Sequence, residues 1–135
     1  RQMCIRDRDN AMPYFAICRG FQLTNVALGG SLIQDMTEHH RHHMSEIDLG
    51  EAGAQLGLKP GPLETSCYHH QAIARLGAGV EVLGKSTDGY VEAVRYPSAG
   101  WAYGVQWHPE DNYNTEAGQL GMLKRFVQEA SSFKL

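Results

Sequence analysis

Long hydrophobic runs, an excess of positive charge and paired cysteines are all absent from this 135-residue sequence. No stretch approaches the roughly 18 consecutive apolar residues that a membrane helix needs, and no basic segment followed by an apolar one marks a secretory signal. The formal charge of −3 gives no reason to expect a nucleic-acid partner. The sequence therefore predicts one soluble globular domain that binds neither a membrane nor a nucleic acid.

Cysteine is scarce, and its spacing argues against a disulfide scaffold. Cys4, Cys18 and Cys67 are an odd number and form no CxxC pair, which favours a reducing compartment and predicts a cytoplasmic protein. Residues 1–9 are charged and show no hydrophobic periodicity. We interpret them as a non-native leader and expect the fold in residues 10–135, which leaves Cys4 without a predicted role.

The segment FAICRG, residues 15–20, joins an apolar run to a cysteine and then to a glycine. Residues 13–17 predict a short buried strand, and the apolar stripe that follows predicts a helix ended by Gly29 and Gly30. A strand, a tight turn at Cys18 and a helix form the pattern of a nucleophile elbow. The helix N-terminus is expected to lower the pKa of the Cys18 thiol and favour the thiolate. A small buried core cysteine remains the alternative.

Other patterns predict the remaining elements. A polar, histidine-rich loop with a short strand near 44–49 is followed by a helical turn at 52–56, then by a strand and loop over 63–73. Strands at 80–87 and 91–97 flank a hairpin turn at Asp88-Gly89, and a further strand begins at 102 and ends at His108-Pro109. A final helix over 115–130 has Thr115 as its N-cap and an apolar face of Leu120, Leu123, Phe126 and Val127.

The segment VQWHPE, residues 105–110, ends a strand on a histidine and supplies a carboxylate two residues later. A cysteine hydrolase needs a thiol, an imidazole base and a carboxylate that fixes the imidazole tautomer. Cys18, His108 and Glu110 could form that set. Taken alone, His108 could equally be a surface histidine beside a turn.

Histidines also cluster in the sequence, at His39, His40, His42 and His43 and again at His69 and His70. The first group lies in a polar loop without a clear ligand spacing, and no cysteine pair assists it. The sequence therefore predicts no metal site, and a metal-binding histidine protein is kept only as an alternative.

The motifs FAICRGFQ, GGSL, SCYHHQAI, DGYVEAV and GVQWHPE together resemble the class I glutamine amidotransferase superfamily. Over about residues 12–130 the sequence is most similar to the gamma-glutamyl-gamma-aminobutyrate hydrolases, also called gamma-glutamyl hydrolase-like peptidases. The resemblance implies an α/β, flavodoxin-like fold with a mostly parallel sheet and flanking helices. In that family, further strands precede the elbow, so we expect this chain to be the C-terminal part of one such domain.

The resemblance also implies roles for single residues. Cys18 matches the nucleophile, His108 the general base and Glu110 the residue that orients the histidine. Arg19 would supply an oxyanion donor through its backbone N–H, and Gln22 would help to seat the gamma-glutamyl group. The remaining implied substrate contacts are Cys67, Tyr68 and His69, where Ser66-Cys67 replaces the Asn-Ser that is common in the family.

The implied activity is hydrolysis of a small-molecule gamma-glutamyl amide through a glutamyl thioester, without a cofactor and in polyamine catabolism. A homodimer is left open. The alternatives are a glutaminase module that supplies ammonia to a partner synthase, and a catalytically silent binding domain on the same fold. Because the upstream strands carry a second oxyanion donor, we expect this chain alone to be poorly active and prone to aggregate.

Overall fold

The computed structural model describes residues 11–36 and 43–134 as a mixed α/β structure. Its helices are Arg19–Ala27 (α1) and Ala117–Ser132 (α2), with a short 3-10 helix at Gly50–Leu56. The strands are Tyr14–Ile17 (β1), Ser31–Ile33 (β2), His43–Asp48 (β3), Pro62–Cys67 (β4), Ala72–Arg75 (β5), Glu81–Lys85 (β6), Val91–Arg95 (β7) and Ala102–Val105 (β8).

Among the described residues, the main sheet has the strand order β1-β8-β7-β6. β1 and β8 pair in parallel, from Tyr14 opposite Ala102 to Ile17 opposite Val105. The β6–β7 and β7–β8 pairs are antiparallel, as are the separate β2–β5 and β3–β4 ribbons. The predicted α/β class is confirmed. In the part of the chain that the structure describes, the β1–β8 pair is parallel and the other pairs are antiparallel. Tight connections such as the Asp88-Gly89 hairpin allow only antiparallel neighbours, whereas a parallel pair needs a long crossover.

Side chains of the main sheet alternate between two hydrophobic clusters, one on each face. Phe15, Ile17 and Val105 face the cluster that also contains Trp107 and Met122, whereas Ala16 and Ala102 face the cluster of Phe21 and Ile73. Successive side chains of a strand point to opposite faces, so the short apolar strands β1 and β8 serve both clusters. The first cluster lies under α2 and the 3-10 helix, and the second lies under α1.

A tyrosine fixes α1 against the sheet close to the elbow. The Tyr96 hydroxyl donates a hydrogen bond to the Phe21 carbonyl oxygen at 3.2 Å. The Tyr96 ring crosses β8 directly over Gly104, where a Cβ would overlap the ring and its hydroxyl. Gly104 therefore allows the close approach that holds the first turn of α1 in place.

Several sequence predictions are confirmed and others are corrected. The strand before Cys18, the helix after it, the β6–β7 hairpin and the helical turn at 50–56 are present. The last predicted strand ends at Val105 instead of His108. The Gln106 N–H still bonds to Glu92 O of β7 at 2.8 Å, but the His108 N–H bonds to Ser66 O of β4, so the chain has left the main sheet by His108. β2 and β5 were not predicted as a pair; they are three and four residues long, which is too short for a clear periodic signal.

The C-terminal helix is also displaced from its predicted bounds. It starts at Ala117, and its N-cap is Glu116, whose side chain accepts a hydrogen bond from Gly118 N. Thr115 belongs instead to the preceding turn and donates to Asn112 O. The buried face contains Gln119 and Met122, while the predicted face residues Leu120 and Val127 are exposed. Of the other predicted face residues, Phe126 does pack against the first hydrophobic cluster, so the predicted face is confirmed in part.

Two predictions fall on residues outside the described ranges. The leader at residues 1–9 lies there, as do His39, His40 and His42 of the histidine cluster, while the backbone of His43 starts β3. Both interpretations stay predictions. Within the described residues, neither helix has the length and apolar character needed to cross a membrane.

Candidate active site

Cys18 occupies a strained turn between β1 and α1. It has φ 48° and ψ −100°, a conformation that L-residues other than glycine rarely adopt and that is common at functional sites. Its N–H is held by Val105 O at 2.9 Å, which continues the parallel pairing of β1 with β8 by one residue. The predicted elbow is therefore present, and the turn leaves the Cys18 side chain partly exposed.

The local electrostatics do not favour a preformed Cys18 thiolate. Burial raises the pKa of the Cys18 thiol most strongly, the backbone N–H of Arg19 lowers it, and the negative charge of Glu110 raises it again. The net shift is upward, so the expectation that the helix N-terminus leaves the thiol pKa lowered is wrong. One backbone donor does not offset the loss of water around the sulfur. A base must therefore take the proton when the sulfur reacts.

A pair of buried glutamines supports the cysteine from within the fold. The Gln106 side-chain nitrogen lies 3.7 Å from Cys18 Sγ and lowers the pKa of the thiol. Gln22 Nε2 in turn donates to Gln106 Oε1 at 3.1 Å and to Gln71 O at 2.9 Å. Gln22 therefore acts on the site through Gln106, with its amide nitrogen already engaged. Sequence reasoning missed Gln106, although it lies two residues before His108 in the motif that was singled out.

His108 and Glu110 meet as the sequence predicts. His108 Nδ1 lies 2.7 Å from Glu110 Oε1. Because a carboxylate only accepts hydrogen bonds, Nδ1 carries the proton and Nε2 is left to accept one. The next residue back, Trp107, is fully buried and donates its indole N–H to Gln119 Oε1 on α2 at 3.0 Å. This hydrogen bond fixes the position of the backbone next to His108.

The end of β4 supports the His108 turn from the other side. Ser66 O accepts the His108 N–H at 3.3 Å, and Ser66 Oγ donates to Asp111 Oδ2 at 2.8 Å. Tyr68 follows in the chain, is 47% exposed, and sets its ring edge-on to the His108 imidazole with centroids 5.4 Å apart. The contribution of Ser66 and Asp111 could not be found from the sequence, because they are 45 residues apart.

The stretch predicted to line the substrate is divided by burial. Tyr68 faces outward, whereas Cys67 and His69 are only 1% and 5% exposed. Cys67 Sγ lies 3.2 Å from Ser45 Oγ, and His69 Nδ1 lies 2.8 Å from Gln71 O. Both side chains are enclosed and support the Tyr68 loop from beneath, and contact of Cys67 and His69 with substrate stays a prediction.

Glu92 completes this enclosed group, and sequence reasoning did not single it out. Burial, with a smaller effect of the Asp88 charge, raises the pKa of Glu92 to about 8. Its Oε1 lies 3.7 Å from His69 Nε2. Burial likewise raises the pKa of the Cys67 thiol.

The predicted site residues thus form two neighbouring groups. Cys18 and His108 follow β1 and β8, whose carboxyl ends lie side by side at one edge of the sheet, where α/β proteins place their sites. The negative charge of Glu110 raises the pKa of the Cys18 thiol, and a thiolate at Cys67 would raise it too. The first group consists of Cys18, His108 and Glu110, together with the backbone N–H of Arg19 and the side chains of Gln22 and Tyr68. The second is Cys67, His69 and Glu92.

The fold around this site is that of the glutamine amidotransferases. A glutamine amidotransferase of known structure from Thermotoga maritima superposes with a TM-score of 0.70 over 98% of this chain and 55% of its own, at 17% identity. The chain belongs to the Peptidase C26 family, whose profile matches residues 2–110.

Two relatives show how much of such a protein this chain covers. Protein NtpR of Enterococcus hirae is 35% identical over 131 residues, covering 87% of this chain and 55% of its own length. The gamma-glutamyl-gamma-aminobutyrate hydrolase PuuD of Escherichia coli is 34% identical over 137 residues, covering 88% and 54%. The chain therefore spans about half the length of these relatives.

Proposed function

We propose that this protein hydrolyses gamma-glutamyl amide bonds, with Cys18 as nucleophile, His108 as general base and Glu110 as the carboxylate that orients the base. The observation that carries the proposal is the 2.7 Å contact between His108 Nδ1 and Glu110 at the same sheet edge as the strained Cys18 turn. Similarity to a gamma-glutamyl-gamma-aminobutyrate hydrolase supports the substrate class.

The reaction proceeds in two halves. His108 Nε2 takes the proton of the Cys18 thiol as the sulfur attacks the gamma-carbonyl carbon. His108 then gives this proton to the leaving amine as the C–N bond breaks, which leaves a glutamyl thioester on Cys18. In the second half His108 takes a proton from water, the hydroxide displaces the sulfur, and glutamate leaves while the thiol is re-formed. No cofactor takes part in either half.

The raised pKa of the Cys18 thiol explains why the base is needed at both stages. The Arg19 N–H that reaches the sulfur is an oxyanion donor in this proposal, and such a donor contributes about 3 kcal/mol to the transition state. Gln22 holds Gln106 against Cys18 and, as the sequence predicts, helps to seat the gamma-glutamyl group. Tyr68 borders the substrate beside His108. The substrate is a small gamma-glutamyl molecule, and a homodimer remains compatible with this site.

The test is covalent labelling by an electrophilic glutamine analogue, followed by intact-mass and peptide analysis. It is run on a protein that includes the expected upstream strands, with the 135-residue chain beside it for comparison. Because the analogue carries a glutamyl group, we expect one label per chain, located on Cys18. Cys18→Ala should abolish the label, and Cys4→Ala is the matched control that keeps it. Excess gamma-glutamyl-gamma-aminobutyrate should protect Cys18 and release gamma-aminobutyrate.

Other outcomes decide between the alternatives. A label on Cys18 with turnover only in the presence of a synthase would identify an ammonia-supplying glutaminase module. If a protein that includes the expected upstream strands neither reacts with the analogue nor releases amine, it is a silent binding domain, and the proposal would be abandoned.

A further inference from the structure

Cys67, His69 and Glu92 bring three different donor atoms to one buried point. One thiol sulfur, one imidazole nitrogen and one carboxylate oxygen all lie within 4.8 Å of one another. The residues come from the end of β4, the loop after it and the second position of β7, and each is at most 5% exposed. Burying two acidic groups and a histidine together is costly unless something compensates for their lost hydration.

The orientation of His69 is that of a metal ligand. Its Nδ1 lies 2.8 Å from Gln71 O, and a carbonyl oxygen only accepts, so Nδ1 carries the proton. Nε2 therefore directs its lone pair towards Glu92. Metal-bound histidines nearly always donate their other ring N–H to a carbonyl or carboxylate in this way. The Gln71 carbonyl is itself held by Gln22 at 2.9 Å, which stiffens the support.

The Glu92 carboxyl supplies an independent observation. Its Oε1 is buried and has no hydrogen-bond partner, although buried polar atoms are nearly always satisfied. The distance from this oxygen to His69 Nε2 is 3.7 Å, too long for a hydrogen bond. Two ligands about 2.1 Å from one tetrahedral zinc ion lie roughly 3.4 Å apart, so this spacing is close to an edge of a coordination tetrahedron.

We propose that Cys67, His69 and Glu92 form a binding site for a divalent zinc-like cation beneath the Tyr68 loop. Sulfur, imidazole and carboxylate together are a donor set that Zn²⁺ accepts and that Mg²⁺ or Ca²⁺ does not favour. Cys67 binds a metal ion as the thiolate, so its proton is released to solvent on binding. The fourth position is left for water.

The cation would act as a cross-link under the candidate active site. It would join β4, the following loop and β7 on the inner side of Tyr68, whose ring contacts His108. We expect Zn²⁺ to raise the Tm of the protein, because a ligand bound only by the folded state stabilises it. This site is separate from the proposed chemistry at Cys18 and does not depend on it.

The test uses Co²⁺ as a spectroscopic substitute for Zn²⁺. The protein carries Cys4→Ala and Cys18→Ala so that Cys67 is its one thiol, and His39, His40 and His42 are replaced by alanine to remove competing imidazoles. We expect one equivalent of Co²⁺ to produce a near-ultraviolet thiolate-to-cobalt band that one equivalent of Zn²⁺ displaces. Adding Glu92→Gln should weaken cobalt binding by about tenfold or more, because a charged ligand is lost.

Two results would overturn the proposal: no thiolate band in this protein, or a band that survives Cys67→Ser. Because Cys67→Ser could also fail to fold, X-ray absorption at the zinc edge provides a second measurement on the folded protein. One sulfur among nitrogen and oxygen ligands is expected. A zinc environment without sulfur would refute the assignment.

Discussion

Within the described residues, the same three residue types occur together twice. Cys18, His108 and Glu110 lie at the carboxyl ends of β1 and β8, and Cys67, His69 and Glu92 lie beneath the neighbouring loop. In the first group the histidine and glutamate are 2.7 Å apart and partly exposed. In the second they are 3.7 Å apart and nearly fully buried.

The difference between the two groups lies in backbone geometry and access. Cys18 is at a turn with positive φ, where its sulfur can meet a substrate, whereas Cys67 is the last residue of a regular strand. Glu110 faces a ring N–H of its histidine, while Glu92 faces the nitrogen that carries the lone pair. The first arrangement suits proton transfer, and the second suits a shared cation.

The largest expected effect separates the two sulfurs. Cys18→Ser should reduce kcat/KM for gamma-glutamyl-gamma-aminobutyrate by roughly 10⁴-fold, because the hydroxyl is a far weaker acid and nucleophile than the thiol. Cys67→Ser should cost less than about tenfold, because its sulfur lies outside the proposed reaction. Steady-state kinetics on both variants make the comparison. Equal losses of kcat/KM in the two variants would contradict the assignment of the nucleophile to Cys18 alone.

The next effect concerns the exposed glutamate. Glu110→Gln should lower kcat by about 10²–10³-fold, because the imidazolium that forms on His108 loses its charged partner. The same change removes a charge that raises the pKa of the Cys18 thiol. Alkylation of Cys18 by iodoacetamide, followed by peptide mass spectrometry, should therefore shift to lower pH while turnover falls. A fall in turnover without this shift would show that the Glu110 charge does not affect the pKa of the Cys18 thiol.

The buried glutamate should instead affect stability. In chelator-treated protein, the unfolded chain releases the Glu92 proton near the ordinary pKa of 4.5, whereas the folded chain keeps it up to about 8. Stability from this group is thus complete below pH 4.5 and is lost as pH rises towards 8. The new amide in Glu92→Gln cannot titrate, so the free energy of unfolding of this variant, relative to that of the parent, should increase by roughly 4 kcal/mol between about pH 4.5 and pH 8.

Urea unfolding at pH 5, 6.5 and 8 measures this difference. Glu110→Gln is the matched control, since Glu110 is half exposed. A stability difference for Glu92→Gln that stays constant with pH would show that Glu92 is already ionised in the folded protein.

The elbow and the His108–Glu110 contact could be predicted from the sequence because their signals are local. FAICRG encodes a strand, a turn and a helix within a few residues, and His108 and Glu110 are two residues apart. The predicted strand, elbow and hairpin are confirmed for this reason. The predicted lowering of the Cys18 thiol pKa failed, because burial depends on how distant segments pack around the sulfur.

The second group could not be predicted, because its members meet only in the folded chain. Glu92 lies 23 residues beyond His69, in an apolar strand whose pattern indicates only burial. Other hydrogen bonds of the site also join residues that are far apart in sequence, namely Ser66 with Asp111 and Gln22 with Gln106. The bounds of α2 also depend on such contacts, since Gln119 binds Trp107 and the β4 backbone.

The smallest expected effect tests the residue that connects the two groups. Tyr68 lies between Cys67 and His69 in sequence and packs its ring edge against His108. Tyr68→Ala should lower kcat/KM by about tenfold, because an aromatic contact of this kind is worth roughly 1 kcal/mol and its loss frees the His108 ring. Tyr68→Phe keeps the ring and should remain within about twofold of the parent. If Phe and Ala variants lose activity equally, the hydroxyl acts on the substrate and the ring contact does not position His108.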